Sequence, residues 1–140
     1  MTATEVTQGR ASAICDARGG DELGVGGRMR DLAPHILRQR LVIEGLAEEP
    51  ITAEQIVKYL SALSGRLGMV ELLSPVTHRS DTYGWAGWIH WETSGAHFYA
   101  WEQPVFFSVD IYTCKRFSVD VAVEFTRSFF RASAIEFGSF

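Results

Sequence analysis

Residues Gly84–Trp101 read GWAGWIHWETSGAHFYAW. Two runs in this stretch, GWAGWIHWE and AHFYAW, mix aromatic with small or polar residues on either side of Thr93-Ser94-Gly95. Strand side chains point alternately to opposite faces, and Ser and Gly collect in tight turns. The stretch therefore predicts a β-hairpin that turns at Thr93-Ser94-Gly95. Beyond Glu102, Gln103 and Pro104, VFFSVDIYTC predicts a further strand. In SVDVAVEFTRSFFR, the run VDVAVEF alternates like a strand. However, Asp120, Glu124, Arg127 and Arg131 fall along one helical stripe and Ser118 can cap it, so a helix is expected. ASAIEF then closes the sheet.

Upstream, PITAEQIVKYLSALSGRLG carries a marked helix start. Thr52 and Gln55 form a capping box, Ile51 and Ile56 can staple it, and Ile56, Val57, Leu60 and Leu63 share one face. ILRQRLVIEGLA predicts a first strand from Ile36. MVELLSPVT predicts a strand that bends or ends near Pro75, and HRSDTYG a loop. Strand, helix, consecutive strands, helix, strand is an α+β order. The expected architecture is a two-layer α/β sandwich, with a mainly antiparallel sheet and helices on one face. Residues 1–34 are rich in Gly, Ala, Thr and charge without a sustained period. They predict a flexible leader, with Cys15 an incidental thiol, ahead of one domain at 35–140.

Composition narrows the function classes. A chain of 140 residues, 46% of them hydrophobic, suits a single core. Its net charge of -4 and scattered basic residues argue against a nucleic-acid partner. Two cysteines separated by nearly the whole chain, Cys15 and Cys114, make neither a disulfide framework nor a paired metal-ligand spacing, which points to a reducing, cytoplasmic setting. No apolar run has the length of a membrane span, and the N-terminus lacks the apolar stretch of a signal peptide, so a soluble protein that is not exported is expected.

By alternation, His90, Glu92 and Ser94 share one face of the hairpin, and His97, Tyr99 and Trp101 share a face of its second strand. Polar groups thus converge near one turn, and three readings compete. Trp85, Trp88, Trp91, Phe98 and Trp101 can simply pack, with the histidines at the rim. Alternatively, His90, Glu92 and His97 can ligate a metal. Their spacing resembles the first half of a cupin motif with the acid and a histidine exchanged, but the second cupin motif is absent. The third reading starts from Ser94. A serine in a strained turn can attack the preceding carbonyl, shift the acyl group from nitrogen to oxygen, and by elimination leave a pyruvoyl group at a new N-terminus. That carbonyl forms a Schiff base with an amino acid and acts as the electron sink for decarboxylation. Tyr99, His97 or His90 can supply the acid or base, and Cys114 the proton for the carbanion.

From about Ile36 onward, the chain resembles the small bacterial and archaeal S-adenosylmethionine decarboxylases, pyruvoyl enzymes made by self-cleavage at a serine. The resemblance is carried by His78 and Arg79, then Tyr83, Gly84 and Gly87, then Ser94 with Trp101, then SVDIYTC from Ser108 to Cys114, without a gap from Tyr83 to Cys114. It implies a two-layer α/β fold, a homodimer with sites at or near the subunit interface, and a carboxy-lyase of polyamine biosynthesis. Ser94 would be the pyruvoyl precursor, Cys114 the proton donor, and Tyr99 or His97 the processing group. Substrate contacts are expected at Trp101, Gln103, Glu92 and Ser80, with Trp101, Tyr99, His97 and Cys114 in one pocket beside Ser94.

The chain also departs from the family pattern. Glu-Ser-His at the cleavage point is Thr93-Ser94-Gly95 here, and the assisting serine and histidine are Ala86 and Tyr99. The phenylalanine that stacks on adenine is Ser80, and Trp-Pro-Glu is Trp101-Glu102-Gln103. Losing an acid that can bond a ribose diol removes a contact worth about 1.5–3 kcal/mol. Two expectations follow. One is a divergent decarboxylase of S-adenosylmethionine or a related amino acid, cleaved between Thr93 and Ser94 and helped more by His97 than by Tyr99. The other is an unprocessed chain that binds a small ligand or a partner.

Overall fold

In the computed structural model, which describes residues 29–140, the elements run β1 (Gln39–Leu46), α1 (Ala53–Leu67), β2 (Val76–Arg79), β3 (Trp85–Trp91), β4 (Ser94–Trp101), β5 (Phe106–Thr113), α2 (Val119–Phe130) and β6 (Ala134–Ser139). The first helix begins where its cap predicts. Thr52 Oγ1 accepts from the Gln55 amide at 3.2 Å, and the Gln55 side chain accepts the Thr52 amide at 2.9 Å, so two amides left over at the helix start are satisfied reciprocally. Gly68, at φ 66°, ends the helix by donating to the carbonyls of Ser64 and Gly65. Thr52→Ala is expected to lower stability by about 0.5–2 kcal/mol in urea unfolding; an unchanged midpoint would contradict the role of the cap.

The ambiguous segment at 118–131 is a helix. Ser118 caps it through the Val121 amide, and Asp120, Glu124, Arg127 and Arg131 form its exposed stripe. The opposite side, Ala122, Val123, Thr126 and Phe130, is buried. Side-chain period decides here: the apolar residues face one way at helical spacing.

Among the described residues the sheet has six strands in the order β2-β3-β4-β5-β1-β6, and every neighbouring pair is antiparallel. The helices pack on each other and on the sheet, α1 against β2 and β3, α2 against β1 and β6. At Gly87 a Cβ would lie 2.4 Å from Ile56 Cγ2, so the missing side chain lets α1 sit against β3. The core centres on Tyr59, Phe98, Phe107 and Phe130, with Phe98 completely buried among the other three rings. Tyr59 meets the requirement on its hydroxyl by bonding Thr126 at 2.7 Å, and burial pushes its pKa well above the ordinary tyrosine range.

Three expectations are corrected. The strand in MVELLSPVT starts only at Val76, because Pro75 has no amide for the ladder. It continues through His78 and Arg79, which had read as loop, while Glu71 forms just a single bridge to Trp91. The first strand starts at Gln39 instead of Ile36, whose amide closes a turn onto Ala33. The hairpin turns at Glu92–Thr93, and Ser94 is already the first residue of β4. The leader expected at residues 1–34, with Cys15, falls almost wholly outside the described residues. No helix among the described residues is long and apolar enough to cross a membrane.

Candidate functional site

A two-residue loop places Trp91 opposite Ser94. Paired residues of an antiparallel ladder face the same way, so Ser94 turns toward the helix side with buried Trp91. His90 pairs with Gly95 on the other, open face. The expected sharing of one face by His90, Glu92 and Ser94 thus fails, because the loop shifts the alternation by one residue. Thr93, the loop's second residue, has φ 53°. That left-handed conformation is costly for a β-branched side chain, about 1–3 kcal/mol. Gly95 is needed for a different reason: a Cβ there would lie 2.7 Å from the Ile89 carbonyl oxygen.

The hairpin end is clamped to α1. Trp91 Nε1 donates to Ser64 Oγ at 2.7 Å, and Ser64 in turn donates to the Leu60 carbonyl at 2.9 Å. The register of β4 with β5, Gly95 opposite Tyr112, carries Cys114 to Ser94 just past the end of β5. The Cys114 amide donates to Ser94 Oγ at 3.1 Å, and Ser94 Oγ donates to Cys114 Sγ at 3.6 Å. Thr93 Oγ1 lies 2.6 Å from the same sulfur. These hydroxyls, Thr93 first and Ser94 second, draw the Cys114 thiol below its ordinary pKa against the opposing charge of Glu92. Lys115 is tied to the Gly68 carbonyl at 2.7 Å.

Ser94 lines two cavities. One, of about 320 Å³, is walled by Met69, Val70, Trp91, Glu92, Thr93 and Cys114 among others. The other, of about 460 Å³, includes Arg40, His90, His97, Asp110 and Tyr112. Arg40 grips Asp110 through two nitrogens, one contact at 3.0 Å, and this bond raises the arginine's pKa. His97 stands between Trp88 and Asp110 in the pairing across the sheet.

The remaining expected residues are elsewhere. Tyr99 lies between Ala86 and Ser108, and Trp101 packs on Phe106 with ring centroids 5.2 Å apart. Trp101 is seven residues along β4 from Ser94, about 23 Å at strand rise. Ser80 accepts the amides of Thr82 and Tyr83 in the loop before β3, Glu102 pairs with Arg79 at 2.7 Å, and Gln103 follows in the turn after β4. The single expected pocket is therefore divided within one chain. Ser94, Cys114, Glu92 and His97 lie at the hairpin end and Trp101, Gln103 and Ser80 at the other, with Tyr99 between them, its ring centroid 6.3 Å from that of His97 and 6.4 Å from that of Trp101. A hairpin brings neighbours together across strands, but it cannot shorten the distance along one. Among the described residues no group of three or more His, Cys, Asp or Glu can hold a metal ion, so the reading of His90, Glu92 and His97 as ligands finds no support.

A protein-family model described as S-adenosylmethionine decarboxylase matches residues 43–140. The chain belongs to the S-adenosylmethionine decarboxylase family. Its fold is similar to the crystal structure of the adenosylmethionine decarboxylase from Aquifex aeolicus VF5, with TM-score 0.64 and 15% identity over 75% of this chain and 89% of that one. No curated protein matches the chain. Sequence reasoning about this family member missed Thr93 as a partner of Cys114, along with the Arg40–Asp110 pair in the larger cavity. The first pairs positions 21 apart and the second positions 70 apart, and both depend on strand register.

Proposed function

We propose that the chain is a pyruvoyl-dependent decarboxylase of S-adenosylmethionine or a related amino acid, formed by self-cleavage between Thr93 and Ser94. The observation that carries this is the Ser94 hydroxyl held by Cys114 next to Thr93, the residue whose carbonyl it would attack, in a strained backbone conformation. The residues present suit the group: a serine precursor, a thiol in contact with it, and open volume on both sides. A pyruvoyl at position 94 supplies the carbonyl electron sink for decarboxylation. Cys114 holds a proton within reach of that position, and the aromatic face of Trp101 and the neutral amide of Gln103 offer substrate contacts. A free thiol at Cys114 suits a reducing, cytoplasmic setting.

The working unit we propose is a homodimer. Trp88, Tyr99, Trp101, Phe106 and Tyr112 fall on the sheet face opposite the packed helices, alongside the polar His90, His97 and Asp110, and aromatic side chains on an open sheet face are stabilised when another layer covers them. A two-fold contact between two such faces is reciprocal. It would set Tyr99 and Trp101 of one copy against the open face of the other's hairpin end, beside the cavity that Ser94 lines with His97 and Tyr112. Light scattering at micromolar concentration should report a dimer, and mixing inactive Ser94→Ala chains with inactive Trp101→Ala chains should restore activity. A monomer that is active by itself would contradict both.

Denaturing mass spectrometry tests the function. Two fragments in place of the intact 15.6 kDa chain support self-cleavage. A chain that stays intact would favour the unprocessed, ligand-binding reading, which Ala86 and Tyr99 favour by standing in place of the family's processing serine and histidine.

A further inference from the structure

The following rests on the self-cleavage reading and names its base. We propose that Cys114 Sγ takes the proton of the Ser94 hydroxyl during self-cleavage, with the Thr93 hydroxyl turning to follow that proton. Within one chain, neither His97 nor Tyr99 faces the side of the sheet on which Ser94 Oγ meets Cys114. Both stand on the open face of β4, opposite Trp88 and Ala86, whereas Ser94 points with Trp91 toward the helix side. Ser94 Oγ has its contacts with Cys114: the amide donates to it at 3.1 Å, which directs the hydroxyl hydrogen toward the sulfur at 3.6 Å.

Thr93 completes the proton accounting. Its hydroxyl lies 2.7 Å from the Glu92 carbonyl and 2.6 Å from Cys114 Sγ, and it has one hydrogen to give. While the sulfur is a thiolate, Thr93 O–H donates to it. Once the sulfur is protonated, S–H donates to Thr93 Oγ1 and the Thr93 hydrogen turns to the Glu92 carbonyl. Neither state leaves a hydroxyl hydrogen without an acceptor.

The acyl shift balances without a co-reactant. The Ser94 proton moves to the sulfur as the Oγ bond to the Thr93 carbonyl carbon forms. The bond from that carbon to the Ser94 nitrogen then breaks, and the nitrogen leaves as an amine carrying the proton returned by Cys114. The chain is cut afterwards, when β-elimination removes the Ser94 α-proton and expels the Thr93 carboxylate, and water hydrolyses the imine tautomer of the resulting dehydroalanine to the pyruvoyl group and ammonia. The charged groups around the sulfur are few. Glu92 in the loop opposes the thiolate, and the Lys115 ammonium is turned away onto the Gly68 carbonyl at the end of α1. Because the base acts as a thiolate, cleavage should speed up as pH rises through the Cys114 pKa, which the Thr93 and Ser94 hydroxyls hold below its ordinary value, and then level off.

The experiment follows fragment formation by mass spectrometry after a pulse of in vitro translation, in wild type, Cys114→Ala, His97→Ala and Tyr99→Phe. Cys114→Ala should slow cleavage by about 100-fold or more, the usual contribution of a general base, and abolish the pH-dependent rise. His97→Ala and Tyr99→Phe should retain rates within a few-fold of wild type. Should Cys114→Ala fail to fold, alkylating the nascent folded chain in a Cys15→Ala background reads the same role and should arrest cleavage. Cleavage of Cys114→Ala at the wild-type rate, or unimpeded cleavage after alkylation, would overturn the assignment to Cys114 alone. A wild-type chain that never cleaves would overturn the self-cleavage reading together with it.

Discussion

Ser94→Ala is expected to keep the chain at its full 15.6 kDa throughout a time course in which the wild type separates into two fragments. The effect should be complete, because without the hydroxyl no atom at position 94 can receive the Thr93 acyl group. The fold should survive. The Cys114 amide loses an acceptor, but Ser94 and Cys114 are only half-buried and line a cavity, where water can replace it. Unchanged circular dichroism in the variant would separate loss of chemistry from loss of structure. Fragments of wild-type size from Ser94→Ala would place the cleavage elsewhere.

Phe98→Ala is the second large expected effect, a loss of about 3–5 kcal/mol. Phe98 is fully buried, 5.4 Å from the Tyr59 ring, 5.7 Å from Phe107 and 5.0 Å from Phe130, centroid to centroid. Truncation removes a ring from the meeting point of both helices' aromatic residues and the sheet, and those neighbours are themselves held by the packing around them. Domains of this size are stable by only about 5–15 kcal/mol, so the variant should unfold at much lower urea concentration. Because β4 runs from Ser94 to Trp101 through this residue, both ends of the site should loosen with it. A loss below about 1 kcal/mol would mean that the core tolerates the cavity, against the usual behaviour of buried aromatics.

Much of the fold was legible because its signals are local. The capping box at Thr52, the helical stripe from Asp120 to Arg131 and the aromatic alternation on either side of Thr93 each lie within a few residues of chain. The two-layer α+β arrangement follows from their order. What failed turned on single residues. Pro75 displaced β2 into His78 and Arg79. Reading Ser94 and Gly95 as the turn, when the loop is Glu92–Thr93, reversed the face assigned to Ser94. Gly95 offered a plausible turn signal, yet its reason is the close approach of the Ile89 carbonyl, which only the register of β3 on β4 creates.

The site divides along the same line. Ser94 and Cys114 were recognised through family resemblance, and the structure brings them into contact. The role of Thr93 was hidden, since nothing in a threonine before a serine announces a sulfur two strands' register away. Tyr99 and Trp101 were assigned to the Ser94 pocket because alternation gives the face of a side chain and says nothing about its distance along the strand.

The most direct measurement is the mass of the C-terminal fragment and its reaction with a carbonyl reagent. Self-cleavage as proposed predicts a fragment beginning at position 94, lighter by one ammonia than the same fragment with an N-terminal serine, and modified by phenylhydrazine. A fragment of full serine mass that does not react, or a chain that remains whole, would contradict it.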